Sequence, residues 1–140
     1  MTIRSFALIF GLVFLLVGIA GFVPPLMTAV HPEHPQLAVD SGYGLLLGLF
    51  PVNLPHNLVH LAFGVWGLVA ARSLGAAKLY ARGVAIVYAV LTVAGVLPPV
   101  ETLFGLTPLF GNNIWLHALL AIIAGYFGWM HPDAQPAPQY

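Results

Sequence analysis

The chain contains no cysteine, and its charged side chains number only four cations and four acids. Without cysteine there is no disulfide framework, no thiolate metal site and no cysteine nucleophile, so a bound metal must rely on imidazole, carboxylate or carbonyl donors. The formal charges cancel, which leaves no basic footprint for nucleic acid, and four cations are too few for a polybasic lipid-binding patch. Serine is scarce too: Ser5, Ser41 and Ser73 lie at helix ends or in loops, so no nucleophile and base stand at a recognisable spacing. The chain therefore reads as non-catalytic.

What is present is apolar. With 60% hydrophobic residues and a mean hydropathy of +0.95, 140 residues do not describe a water-soluble domain. Residues 5–23 carry no charge, follow Arg4 and stop at Pro24-Pro25; at 1.5 Å per residue they span about 28 Å, close to a ~30 Å bilayer core. A cleaved signal peptide is the competing reading, but the apolar run exceeds a usual signal core of roughly 7–15 residues and no clear A-x-A site follows. Further helices are expected over 54–71, 79–97 and 114–130, the third ending at a second proline pair, Pro98-Pro99. Asn53 is placed to cap the second helix, with Pro55 harmless in its first turn, and Asn112 and Asn113 to cap the fourth. Arg82, near the start of the third, is expected to snorkel to the interface.

Between the first two helices, HPEHP at 31–35 excludes helix and reads as exposed loop; His31, Glu33 and His34 are metal-capable in kind but more simply solvated. The GYGLLLGLFP that follows is too short to span and reads as a surface-lying or re-entrant piece. Residues 131–140, with three prolines, read as an irregular tail.

Arg4, Arg72, Lys78 and Arg82 flank one side of these helices, and Glu33, Asp40 and Glu101 the other. By the positive-inside rule both termini are cytoplasmic, and the loops after helices one and three face outward.

The polar residues sent into apolar helices are concentrated in PVNLPHNLVHLAF: Asn53, His56, Asn57 and His60. A fainter copy returns in GNNIWLHALL around His117. Gly48-Leu49-Phe50-Pro51 repeats as Gly105-Leu106-Thr107-Pro108 and His60 as His117, each at an offset of 57. Upstream, Ala20-Gly21-Phe22-Val23-Pro24-Pro25 repeats as Ala94-Gly95-Val96-Leu97-Pro98-Pro99 at an offset of 74, so the first outer loop carries extra length. This predicts an all-α polytopic membrane protein: one domain, 1–130, of four transmembrane helices built as two tandem helix-hairpin repeats in the same orientation.

The segments NLPHNLVHLAFGVWGLVAARS, AKLYARGVAIVYAVLTVAGV and LFGLTPLFGNNIWLHALLAIIAG resemble the small bacterial membrane family catalogued as domain of unknown function 4383, over about residues 5–130. Gly48, Phe50, Asn53, Asn57, His60, Gly64, Tyr80, Tyr88, Gly95, Gly105, Leu116 and His117 carry the likeness. The resemblance implies a four-helix fold in a bacterial inner or thylakoid-type membrane and assigns no activity.

Two functional readings follow. In the first, the protein is an accessory or structural subunit of a larger membrane complex, energy-transducing or photosynthetic, with partners among other membrane subunits or copies of itself. Asn53, Asn57, His60 and His117 then form a polar network that pins helices two and four, the imidazoles bonding one another, Asn57 or the turn carbonyls. In the second, His56 and His60, four apart on one helix face, join His117 to ligate haem, chlorophyll or a divalent metal, with Glu101 or Asp40 available from the loops. Transport has little support, since carriers use broken helices and charges at mid-membrane.

Overall fold

The computed structural model describes residues 1–132; the proline-rich stretch 133–140, expected to be irregular, lies outside them. Helix α1 is Ile3–Ala20, opened by Thr2, whose hydroxyl accepts from the Ser5 amide at 3.1 Å. It ends short of the expected residue 23 because Pro24 bars its predecessor from helical geometry, and Val23 is extended. Helix α2 is Leu54–Ala70, with the Asn53 side chain accepting from the His56 amide at 3.1 Å and Pro55 in the first turn, as expected. Helix α3 is Leu74–Gly95 and begins well before the expected Leu79. Ser73 caps it through the Ala76 amide, and Lys78 is simply a good helix former inside its early turns. Helix α4 is Asn112–Gly125, continued by a π-helical turn over Tyr126–Met130.

The described chain is thus mostly helical, as expected. α1, α3 and α4 with its π turn are long and apolar enough to cross a membrane. α2 is apolar but has 17 residues, a length of about 26 Å. Large side chains such as Leu16, Val90 and Ile122 are 66%, 62% and 70% exposed, an exterior suited to hydrocarbon rather than water.

One element was not anticipated. Strands β1 (Met27–Thr28), β2 (Gly44–Leu46) and β3 (Phe50–Val52) form a small antiparallel sheet in the order β1-β2-β3. GYGLLLGLFP is therefore mostly a hairpin, with Leu46 paired to Phe50 across a turn in which Leu47 and Gly48 have φ of 54° and 70°. The glycines that punctuate this apolar run supply the turn that a re-entrant helix would lack.

α1 lies against α2 and α3 against α4. The first contact depends on absent side chains: a Cβ on Gly11 would stand 2.9 Å from both the Gly64 carbonyl oxygen and the Leu68 nitrogen. Between the pairs runs an aromatic core in which Phe6 stacks on Phe127 at 4.7 Å and Phe14 meets Tyr88 at 5.3 Å. The Arg4 Nε donates to the Ala71 carbonyl at 2.8 Å, and the Arg82 Nε to the Gly128 carbonyl at 2.9 Å, which gathers the start of α1, the end of α2, the early turns of α3 and the middle of the π turn at one end. The Arg82 guanidinium also lies 5.6 Å from the Trp129 ring centre, so the side chain is held by its neighbours.

A candidate histidine centre

At the opposite end of the bundle the asparagines organise the backbone. The Asn53 Nδ2 donates to the Val39 carbonyl at 2.9 Å and to the Leu106 carbonyl at 2.8 Å. Asn113 Nδ2 donates to the carbonyls of Pro51 at 2.7 Å and Pro108 at 3.1 Å, and Asn112 Nδ2 to that of Leu49 at 3.1 Å. Each GLxP turn is thus held by an asparagine from the other half of the chain. Neither Asn112 nor Asn113 caps α4, contrary to expectation. Gly111, with φ of 65°, takes that position, and Asn112 and Asn113 stand inside the first turn, where both Nδ2 groups donate to turn carbonyls and the Asn112 Oδ1 accepts from the Trp115 Nε1 at 3.0 Å.

These bonds fix the first turns of α2 and α4, and with them three histidines. The 56/60 spacing stacks the His56 and His60 rings at 4.4 Å, and His117 reaches across from α4 with its ring 6.5 Å from that of His56. One ligand nitrogen from each of the three lies within 4.8 Å of the other two. All three side chains are buried, at 7%, 5% and 2% exposure, and none of their Nδ1 atoms has a hydrogen-bond partner. Asn57, buried against Gly21, has both side-chain polar atoms unpartnered as well. The turn-carbonyl contacts expected of the His60 and His117 imidazoles are made by Asn53, Asn112 and Asn113.

Aromatic edges wall the imidazoles: Tyr88 meets His117 at 5.0 Å and Phe14 meets His60 at 5.3 Å, both edge to face. A cavity of about 130 Å³ opens beside them, bounded by Val59, Val87, Leu91, Leu109 and Thr107, whose buried hydroxyl is unpartnered. The sequence marks Tyr88 only through the family likeness and Thr107 only through the repeat. The usable signal was positional, since Tyr88 stands 74 residues after Phe14, and both line the histidines.

Among the described residues His56, His60 and His117 form the one group of three or more such ligands. Glu101 and Asp40 do not join it. His31 and His34 meet edge to face at 5.2 Å, and His34 leans on Phe110 at 5.3 Å, without drawing Glu33 into a ligand set.

The family model described as Domain of unknown function (DUF4383) matches residues 4–130, so the chain belongs to that family. No curated protein and no solved structure matches it.

Proposed function

Taking as premise a family whose description assigns no activity, we propose that this is a multi-pass membrane protein whose His56, His60 and His117 bind one first-row transition-metal ion. The observation that carries this is the convergence of three buried imidazoles whose Nδ1 atoms have no hydrogen-bond partner. A buried polar atom without a partner costs about 1–3 kcal/mol, and one cation can engage all three rings at once. Bonds of 2.0–2.1 Å in a tetrahedral arrangement place nitrogens about 3.4 Å apart, so side-chain rotation closes the set. Imidazole donors suit zinc, copper, iron or nickel. A cavity of about 130 Å³ falls well below the ~300 Å³ lower bound of ordinary ligand pockets, which disfavours haem and chlorophyll.

The same reading takes all four helices as spans, as two tandem hairpins with cytoplasmic termini. Backbone coincidences support the duplication. Leu47-Gly48 and Phe104-Gly105, 57 apart, all have positive φ, from 54° to 85°. A Cβ on Gly21 would meet Asn57, and one on Gly95 would meet Ile114, the counterpart residue. Arg4 and Arg82 bond the carbonyls of Ala71 and Gly128, again 57 apart.

Equilibrating the purified protein with zinc, cobalt or copper ions and measuring metal after desalting tests the binding. One ion per chain is expected, falling below about a tenth in His60→Ala or His117→Ala. A wild-type chain that retains no more metal than His60→Ala sinks the reading.

A second reading, an accessory subunit of a larger membrane complex, draws support from a shallow groove between α3 and α4. It is floored by Ala85, Ala89, Ala121 and Gly125 beside Trp129, small residues of the kind that admit another helix. Migration as a lone 14.9 kDa chain on native gels of mildly solubilised membranes would count against it.

A further inference from the structure

Building on the metal-binding reading, we propose that the ion is copper(I) and that its fourth position opens into the adjoining cavity, where it takes a small uncharged diatomic molecule from the bilayer. Charge comes first. The ligand group holds three histidines and, among the described residues, no carboxylate. Three neutral imidazoles leave the whole ionic charge in an apolar region, and the cost of burying an ion grows with the square of its charge, about fourfold from a monovalent to a divalent ion. A monovalent, imidazole-tolerant metal is copper(I).

Coordination comes next. Three protein donors with a fourth position left open are the pattern of metal centres that accept an outside ligand, whereas closed structural centres use four. All three histidines border the cavity. Its volume of about 130 Å³ is of the order of the ~150 Å³ apolar cavity that stays dry and admits a guest the size of benzene. That is ample for a diatomic and too little for a lipid-soluble ring compound with a tail. The remaining walls are mostly apolar, which discourages water and anions and suits a neutral guest.

Access is from the side. Val59 on α2 and Val87 on α3 bound the cavity and are 44% and 37% exposed, so its rim belongs to the surface that meets hydrocarbon. Small apolar gases dissolve in that hydrocarbon and reach the rim without crossing a polar barrier. The Thr107 hydroxyl, buried in the wall without a partner, is a neutral donor available to a bound diatomic.

The probe is carbon monoxide added anaerobically to the copper(I)-loaded protein in nanodiscs, read by infrared spectroscopy. A single carbon–oxygen stretching band is expected, at one carbon monoxide per copper. Leu91→Trp and Val87→Phe fill the cavity and should keep copper at one per chain while lowering carbon monoxide occupancy at least tenfold. Thr107→Val, nearly equal in shape, should keep both and shift the band. A chain that binds copper one to one but gives no band overturns the open position and leaves metal binding intact; so does a band that neither filled-cavity variant weakens. A chain that takes zinc but not copper(I) overturns the copper assignment. A chain that takes no metal overturns this proposal together with the reading beneath it.

Discussion

Asn53 and Leu106 stand 53 residues apart in the chain, yet the Asn53 side-chain nitrogen donates to the Leu106 carbonyl at 2.8 Å while its oxygen caps α2 through the His56 amide. One buried side chain thus serves a helix end, the loop at Val39 and the second GLxP turn. Asn53→Leu removes three bonds and strands two carbonyls. A loss of about 3 kcal/mol is expected from a cap worth ~1 kcal/mol and net hydrogen bonds worth ~1 kcal/mol each. Asn112→Ala, at a half-buried position, should cost under about 1 kcal/mol. Reversible unfolding in mixed detergent measures both, and equal losses would contradict the ranking.

The α1–α2 contact makes a sharper contrast. A Cβ on Gly67 would stand 2.7 Å from the Gly11 Cα and 2.9 Å from the Ala7 carbonyl oxygen, so Gly67→Ala must push backbone apart. A cost of roughly 1–3 kcal/mol follows from overpacking of this kind. On Gly125 the nearest atom to an added Cβ is the Ala85 Cβ at 3.9 Å, and Gly125→Ala should be neutral or slightly stabilising, since alanine is the better helix former. Thermal midpoints of the two variants should move in opposite directions, or only the first should move.

Orientation can be read without background because the chain has no cysteine of its own. Gly75→Cys, where a side chain meets nothing within 4 Å, should react with a membrane-impermeant maleimide only in inside-out vesicles. Gln36→Cys, in the exposed loop before β2, should react only in right-side-out vesicles or intact cells. The reverse pattern would invert the assigned topology.

Net charge at the histidine centre sets the preferred ion, and a single substitution changes it. His56→Asp replaces a neutral donor with an anion and lowers the cost of a divalent ion. The ratio of zinc to copper(I) occupancy should rise at least about tenfold, a change of ~1.4 kcal/mol. An unchanged ratio would show that net charge does not govern the choice of metal.

Much of this was legible in the sequence, for identifiable reasons. The helices announce themselves through uninterrupted apolar runs closed by Pro24-Pro25 and Pro98-Pro99, and the 56/60 spacing puts two imidazoles on one face whatever surrounds them. The start of α3 lies ahead of the expected residue 79 because Ser73 supplies a cap that the apolar run does not mark. The hairpin was missed because β2 and β3 are three residues each, too short for alternation to register. The roles of Asn112 and Asn113 were misjudged for a deeper reason. An asparagine beside a helix start satisfies local rules as a cap, and only the folded chain reveals that Asn112 and Asn113 lie inside the first turn and donate to the carbonyls of Leu49 and Pro51, more than sixty residues earlier. The side cavity had no local signature at all, since α2, α3 and α4 bound it together.

The length of α2 carries a mechanical consequence. Its 17 residues give about 26 Å against a hydrocarbon core of ~30 Å, a mismatch costing fractions of a kcal/mol for each ångström. In the proposed four-span arrangement, acyl chains beside α2 must shorten or the helix must draw polar headgroups inward, and the first turn of α2 is where His56 sits. Membrane thickness therefore acts on the histidines as a tension on their scaffold. Thin bilayers relax it, thick sterol-like ones load it, and the protein should settle preferentially where the lipid is short.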